Sequence, residues 1–235
     1  MKKIIILIFL FPYFIKQETN AQSTESLITS FFDFGIGGSW HRNYTGLTNQ
    51  DLWIVDDGEK LDLSAGIAYK HTGICFTASY ENNPFKINTD KTSSRAAQTD
   101  LEWTSVGFYT GIYNEERYKD MIVRFKIQGG PILVTFPELE TVYDDKKGTF
   151  ERHNYEQTST IGLVINADIA LGYYLDKNTY LSLFLNQTGG RMHFSVENRY
   201  DKYNPDTPLE YGKEMESFQK SWTSTTFGLR LGFSF

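Results

Sequence analysis

A chain of 235 residues, 40% hydrophobic and with a mean hydropathy of −0.40, holds no run of about 20 apolar residues beyond its first positions, which excludes a helical membrane protein. Its 29 acidic against 23 basic residues give a net charge of −6, which argues against nucleic acid as a partner. One cysteine, Cys75, cannot close an internal disulfide, and aromatics at 16% suit a chain that places Tyr, Trp and Phe at two membrane interfaces.

At the N-terminus Lys2 and Lys3 precede the apolar stretch Ile4 to Ile15, and Thr19-Asn20-Ala21 supplies a small-residue cleavage site before Gln22. Charge, apolar core and cleavage site in that order predict a signal peptide over residues 1–21 and an exported chain. No cysteine follows, so a lipoprotein anchor is not expected. Cleavage takes three Lys and one Glu from the totals and leaves a net charge of −8. Residues 22–30 are expected to form a short periplasmic segment, and residues 31–235 the folded unit.

Beyond that point the signal is period two. Phe32, Phe34, Ile36 and Trp40 alternate with Asp33, Gly35, Gly37 and Ser39, which predicts a first strand. Leu61, Leu63, Ala65, Ile67 and Tyr69 alternate with Lys60, Asp62, Ser64 and Lys70; after a turn at His71-Thr72-Gly73, Ile74, Phe76, Ala78 and Tyr80 alternate with Cys75, Thr77, Ser79 and Glu81. These read as a hairpin. In Leu101 to Tyr113 the parity is mixed, since Leu101 and Trp103 favour one face and Val106, Phe108 and Ile112 the other; a bulge near Ser105 would reconcile them. A fifth strand runs from Met121 to Phe136 with a bend at Gly129-Gly130-Pro131. Ile161 to Tyr173 is the longest regular alternation, Leu181 to Val196 follows with a kink at Gly189-Gly190, and Phe227, Leu229, Leu231, Phe233 and Phe235 close the chain against Thr226, Gly228, Arg230, Gly232 and Ser234. A helix would not segregate residues this way.

Eight strands result, joined by short connections near 71–73, 114–119 and 175–178 and by long polar ones at 41–58, 83–98, 137–157 and 197–220. That asymmetry predicts an all-β fold, a transmembrane antiparallel up-and-down β-barrel of about eight strands, with the termini and short turns in the periplasm and the long segments outside the cell. A water-soluble barrel with the opposite polarity stays open, because alternation does not tell inside from outside.

Several stretches carry a resemblance to the small outer-membrane β-barrel domain family that includes porin-family and PorT-like proteins: Thr226-Phe227-Gly228-Leu229-Arg230-Leu231-Gly232-Phe233-Ser234-Phe235, the strand ending Leu171-Gly172-Tyr173-Tyr174, and Asn20-Ala21-Gln22. The resemblance implies residence in the outer membrane of a Gram-negative bacterium, lipid as surroundings, and the barrel-assembly machinery as a partner in biogenesis. The terminal Phe235 with Phe233 and Leu231 resembles the signal that machinery reads. It implies no catalytic residue.

Eight strands enclose room for side chains only, so no open channel is expected. Charges facing such a lumen must pair. Asp33 and Arg230 lie at similar depths on the first and last strands and are expected to meet; Arg124 and Asp168 match on strands five and six, with Lys126 and Asp62 as further members. This network reads as a polar core, or alternatively as a selectivity or gating device. Trp40, Trp103, Tyr109, Tyr113, Tyr173 and Tyr180 fall near strand ends and are expected to anchor the barrel at the membrane interfaces.

His193 and Ser195, two apart on one strand, share a face with Arg191 and Glu197, a base beside a hydroxyl. The pair is similar to the His-x-Ser of outer-membrane lipid A deacylases, but the surrounding residues depart from that family and no acidic third member is identifiable. His41, His71 and His153 lack ligand spacing, so neither a metal nor a cofactor is expected. The reading is a non-enzymatic barrel with a structural or surface-binding role, in which the segments 41–58, 83–98, 137–157 and 197–220 meet an extracellular ligand or protein. An envelope lipid hydrolase using His193 and Ser195, and an accessory barrel of a protein secretion system, are the alternatives.

Overall fold

The computed structural model describes residues 28–44, 53–87, 95–96, 101–144, 150–204 and 207–235; residues 1–27, on which the expected signal peptide falls, and the segments 45–52, 88–94, 97–100, 145–149 and 205–206 lie outside them. In chain order the strands are β1 (Ile28–Tyr44), β2 (Trp53–Val55), β3 (Gly58–Tyr69), β4 (Thr72–Ile87), β5 (Arg95–Ala96), β6 (Leu101–Tyr118), β7 (Met121–Phe136), β8 (Leu139–Asp144), β9 (Phe150–Tyr155), β10 (Thr158–Tyr174), β11 (Thr179–Asn204) and β12 (Thr207–Ser234). Eight of them, β1, β3, β4, β6, β7, β10, β11 and β12, pair antiparallel in chain order, and β12 returns to β1. The sheet is a closed barrel.

Closure is staggered. From Phe32 the register passes to Ala65, Phe76, Thr110, Gly129, Ile165, Gly189 and Thr223, and re-enters β1 at Arg42. A shear of ten residues over eight strands tilts them about 40° from the axis and leaves a lumen that side chains can fill.

The turns explain why one end is compact. Between β3 and β4, and between β6 and β7, two residues suffice, with Lys70 at φ 59° and Lys119 at φ 54° in the left-handed region that matches a tight turn to strand twist. Between β10 and β11 the Asp176 carboxylate accepts the N–H groups of Asn178 and Thr179, both at 2.8 Å, and these bonds hold its carboxyl below its ordinary pKa. The first described strand begins and the last ends here, for Ser30 and Phe235 exchange backbone hydrogen bonds of 3.0 and 2.9 Å, and Ser234 N–H donates to the Asn178 carbonyl at 2.7 Å.

Burial settles which face is which. Ile161, Leu163 and Ile165 are 72%, 75% and 68% exposed, whereas Asn166 and Asp168 on the same strand are buried. The same holds around the ring: Phe34, Leu63, Phe76, Phe108, Leu183 and Leu229 point outward while Asp33, Asp62, Thr77, Lys126, Ser182 and Arg230 are enclosed. A water-soluble barrel has the reverse polarity, and an apolar belt all the way round is compatible only with hydrocarbon outside. Tyr69, Tyr118 and Tyr173, next to the short turns, are all more than half exposed and form the aromatic girdle of that end.

Three local expectations are corrected. β6 carries no bulge near Ser105, since its pairings with β4 and β7 keep one register throughout, and Trp103, Ser105, Tyr109 and Tyr113 are all buried on one parity. Gly189-Gly190 keeps its register, and at Gly130-Pro131 the β6–β7 ladder lapses for two pairs and resumes in the same register. The turn placed at 114–119 is residues 119–120, because β6 continues to Tyr118. The barrel starts at Ile28, paired with Tyr69, rather than at residue 31.

The long segments are also more ordered than polar composition suggests. Within 137–157, β8 and β9 form a hairpin that pairs with β11; within 197–220, β11 and β12 continue as one long hairpin to Lys202↔Glu210, with a register shift before Asn204↔Thr207. β5 adds to β8, and β2 to the upper end of β4. Above the ring stands a sheet in the order β12-β11-β9-β8-β5.

Candidate functional site

Lumen residues are dictated by parity. Even positions of β7, β10, β11 and β12 and odd positions of β1 and β6 turn inward, and the sequence places most of its intramembrane charge there. Arg230, 1% exposed, is the centre. Its guanidinium donates to both carboxylate oxygens of Asp168 at 3.0 Å, to Asp62 at 2.9 and 3.3 Å, lies 3.3 Å from Asp33 and stacks 4.1 Å over the Phe184 ring. Arg124 is the second hub, donating to Asp33 at 2.7 Å, to Glu115 at 2.6 and 2.9 Å and to the Tyr180 hydroxyl at 2.6 Å, over the Phe31 ring at 3.6 Å. Asp33 links the two hubs. Charge-assisted bonds and stacked planes are what a guanidinium needs to stay ionised out of water.

The structure thus brings Asp33, Arg230, Arg124, Asp168, Lys126 and Asp62 together, with one pairing different from expectation. Asp168 stands opposite Lys126 in the β7–β10 register, so Arg124 binds Asp33 and Glu115 and does not pair with Asp168. Lys126 Nζ lies 3.7 Å from Asp33 and 3.9 Å from Asp168 and makes no hydrogen bond among the described residues. Higher in the lumen, Lys60 donates to Asn186 at 2.7 Å, and His41 meets Glu81 at 2.8 Å. Glu115 escaped sequence reading because strand four was ended at Tyr113; extending the same parity by two residues would have found it.

At the mouth away from the short turns the lumen changes character. Val55, Trp103, Ile132, Val134, Phe136, Leu139, Val164, Met192, Phe194 and Val196 pack into one apolar cluster, with Trp103 and Phe194 ring centroids 5.4 Å apart. Two of its members, Val55 and Leu139, come from β2 and β8 above the ring. Salt bridges below and this cluster above line the lumen with buried side chains.

Of the expected interface aromatics only Trp40 and Tyr173 face outward, 45% and 52% exposed. Trp103, Tyr109, Tyr113 and Tyr180 are corrected to lumen residues, all 3% exposed or less. Position near a strand end was read without parity. Tyr180 shows what parity achieves: its ring covers Gly232 directly across the β11–β12 pair, where a Cβ would collide, and so reaches Arg124. Phe235, Phe233 and Leu231 line the outward face of the last strand.

No family model matches the sequence, and no curated protein matches it. Solved structures do. OprG of Pseudomonas aeruginosa, an outer membrane protein, superposes with a TM-score of 0.50 at 10% identity, over 88% of this chain and 95% of that one. The chain has the fold of a small bacterial outer-membrane β-barrel. Ail of Yersinia pestis and Neisserial surface protein A are matched more loosely, each with a TM-score of 0.45 at 10% identity, over 89% of this chain and 100% and 98% of theirs. On the barrel's outer wall, His193 and Ser195 do share the outward face, but the Ser195 hydroxyl lies 3.4 Å from that of Ser217 rather than bonded to His193. Across the β11–β12 pair His193 stands opposite Gln219 and Ser195 opposite Ser217.

Proposed function

We propose that the protein resides in the outer membrane of a Gram-negative bacterium as a closed barrel, exported with a cleaved signal peptide, whose role is to hold a binding sheet at the cell surface. One observation carries this reading: buried side chains occupy the lumen from the charge network to the apolar cluster, while β11 and β12 extend past the ring as a paired hairpin with Tyr203, Tyr211 and Met215 at 47%, 70% and 60% exposure. Function on a rigid scaffold concentrates where the scaffold displays side chains to solvent. The displayed sheet is braced rather than loose. Glu197 takes Lys213 at 2.6 Å and Arg199 at 3.0 Å, which hold its carboxyl below its ordinary pKa, and Arg199 also pairs with Glu156.

The test joins Asn198 to Glu214, which are cross-strand partners, through an Asn-Gly turn. The shortened barrel is expected to insert normally and to lose surface adhesion in cells, and wild-type protein is expected to give no stepwise conductance in planar bilayers. Steady channel openings by wild type would overturn the reading. Lipid hydrolysis abolished by Ser195→Ala, or co-purification with a secretion complex, would favour the two alternative roles instead.

A further inference from the structure

The sheet above the membrane has an open side. β12 pairs with β1 only as far as Tyr44↔Ser221, and above it, among the described residues, nothing pairs with β12 on the side away from β11. Along Leu209 to Ser217, therefore, every second residue turns an N–H and a C=O away from β11 with no partner among the described residues, the arrangement to which another strand adds. Edges of this length are usually blunted. Here Pro208 guards only the tip, and the one lysine within Leu209 to Ser217, Lys213, is drawn back onto Glu197 at 2.6 Å.

The two faces of this edge differ. Glu210, Glu214 and Glu216 share the parity of the lumen-facing Ser224 and Thr226; Leu209, Tyr211 and Met215 share the other, at 45%, 70% and 60% exposure. Glu210 stands across from Lys202, whereas across from Glu214 and Glu216 stand Asn198 and Val196, which bring no cation, and among the described residues Glu216 takes the Asn198 amide at 2.6 Å. Resting on the surface-binding role proposed above, we propose that β12 from Leu209 to Ser217 captures an extended segment of another protein by strand addition, a segment that alternates basic with apolar or aromatic residues. Its basic side chains meet the glutamate row and its apolar ones lie beside Tyr211 and Met215, the cross-strand pairings that stabilise a sheet. A second copy of this chain fits less well, since it brings the same row of carboxylates.

The experiment uses the full-length mature barrel in lipid nanodiscs and three synthetic ten-residue peptides: one alternating lysine with valine, one of scrambled order, and one of the first sequence with alternate amides N-methylated. Binding is read by fluorescence anisotropy and by hydrogen exchange of the β12 amides. The alternating peptide is expected to bind at least tenfold more tightly than either other peptide and to slow exchange across 209–217, and the combined variant Glu210→Gln, Glu214→Gln, Glu216→Gln is expected to lose at least tenfold. Equal binding of the N-methylated peptide, or no change in β12 exchange, overturns strand addition. Dimers in cross-linking that the peptide cannot displace would assign the edge to a second copy and overturn the partner chemistry. If adhesion depends on the hairpin while the alternating peptide fails to bind, the surface role stands and this inference falls.

Discussion

Arg230 and Asp33 stand 3.3 Å apart across the seam where the last strand of the barrel meets the first. The contact joins residues nearly 200 positions apart in sequence into one lumen network, so it forms only when the ring closes. Arg230 also compensates Asp62 and Asp168, and its removal leaves three carboxylates with Lys126 and Arg124 as their remaining cations nearby. Arg230→Ala is expected to destabilise the barrel by roughly 3–5 kcal/mol, the cost of stranding buried charge. Urea unfolding in lipid vesicles, followed by the gel shift between folded and unfolded bands, measures it; a loss under about 1 kcal/mol would mean the network is hydrated and loosely coupled.

The outward belt makes a prediction of opposite geography. Leu183 and Leu229 are 48% and 49% exposed beside each other on β11 and β12, and Tyr211 is 70% exposed above the ring. Leu183→Arg or Leu229→Arg should lose roughly 2–4 kcal/mol in bilayers, as a charge in mid-membrane does. Tyr211→Arg, although more exposed in the folded chain, should change stability by no more than about 0.5 kcal/mol. Equal effects at the two heights would contradict the placement of the membrane.

The apolar plug can be probed through Trp103, which is 1% exposed and packs on Phe194 and on Phe136, 6.5 Å between centroids. Trp103→Ala is expected to cost roughly 3–5 kcal/mol through the cavity it leaves. In a variant retaining only this tryptophan, emission should be blue-shifted and resist aqueous quenchers. Ready quenching would show that water reaches the mouth of the lumen.

Acid should loosen the sheet above the membrane before the barrel. Glu197 has its carboxyl lowered by Lys213 and Arg199, so its contribution is complete above the ordinary glutamate pKa of about 4.3 and is lost as pH falls through the lower folded value. Amide exchange of residues 196–204 is expected to be unchanged from pH 7 to 5 and to rise below about pH 4 while ring amides stay protected. Loss of protection already at pH 6 would point to a different titrating group.

The number and order of the ring strands were legible in the chain because a barrel strand writes its two environments as a period of two. Leu181, Leu183 and Leu185 against Ser182 and Asn186 need no tertiary information to be read as one strand. The same signal announced the members of the lumen network, since Asp33, Asp62, Lys126, Asp168 and Arg230 all sit on the parity opposite the apolar one. It failed where an aromatic could serve either side. Trp103, Tyr109, Tyr113 and Tyr180 look alike as interface anchors and as lumen fillers, and only the unbroken register of β6 and β11 assigns them inward.

What the sequence by itself determined, then, is a local property: which residues alternate, and so which strands exist and in what order they pair. Partner choice inside the lumen was decided by the shear, because a ten-residue stagger sets which charge on one wall stands level with which on the opposite wall, and no pattern within a single strand contains that number. The same closure placed Lys126, not Arg124, opposite Asp168 and turned polar segments above the ring into a sheet, since backbone groups of a chain anchored at both ends find partners in the strand beside them.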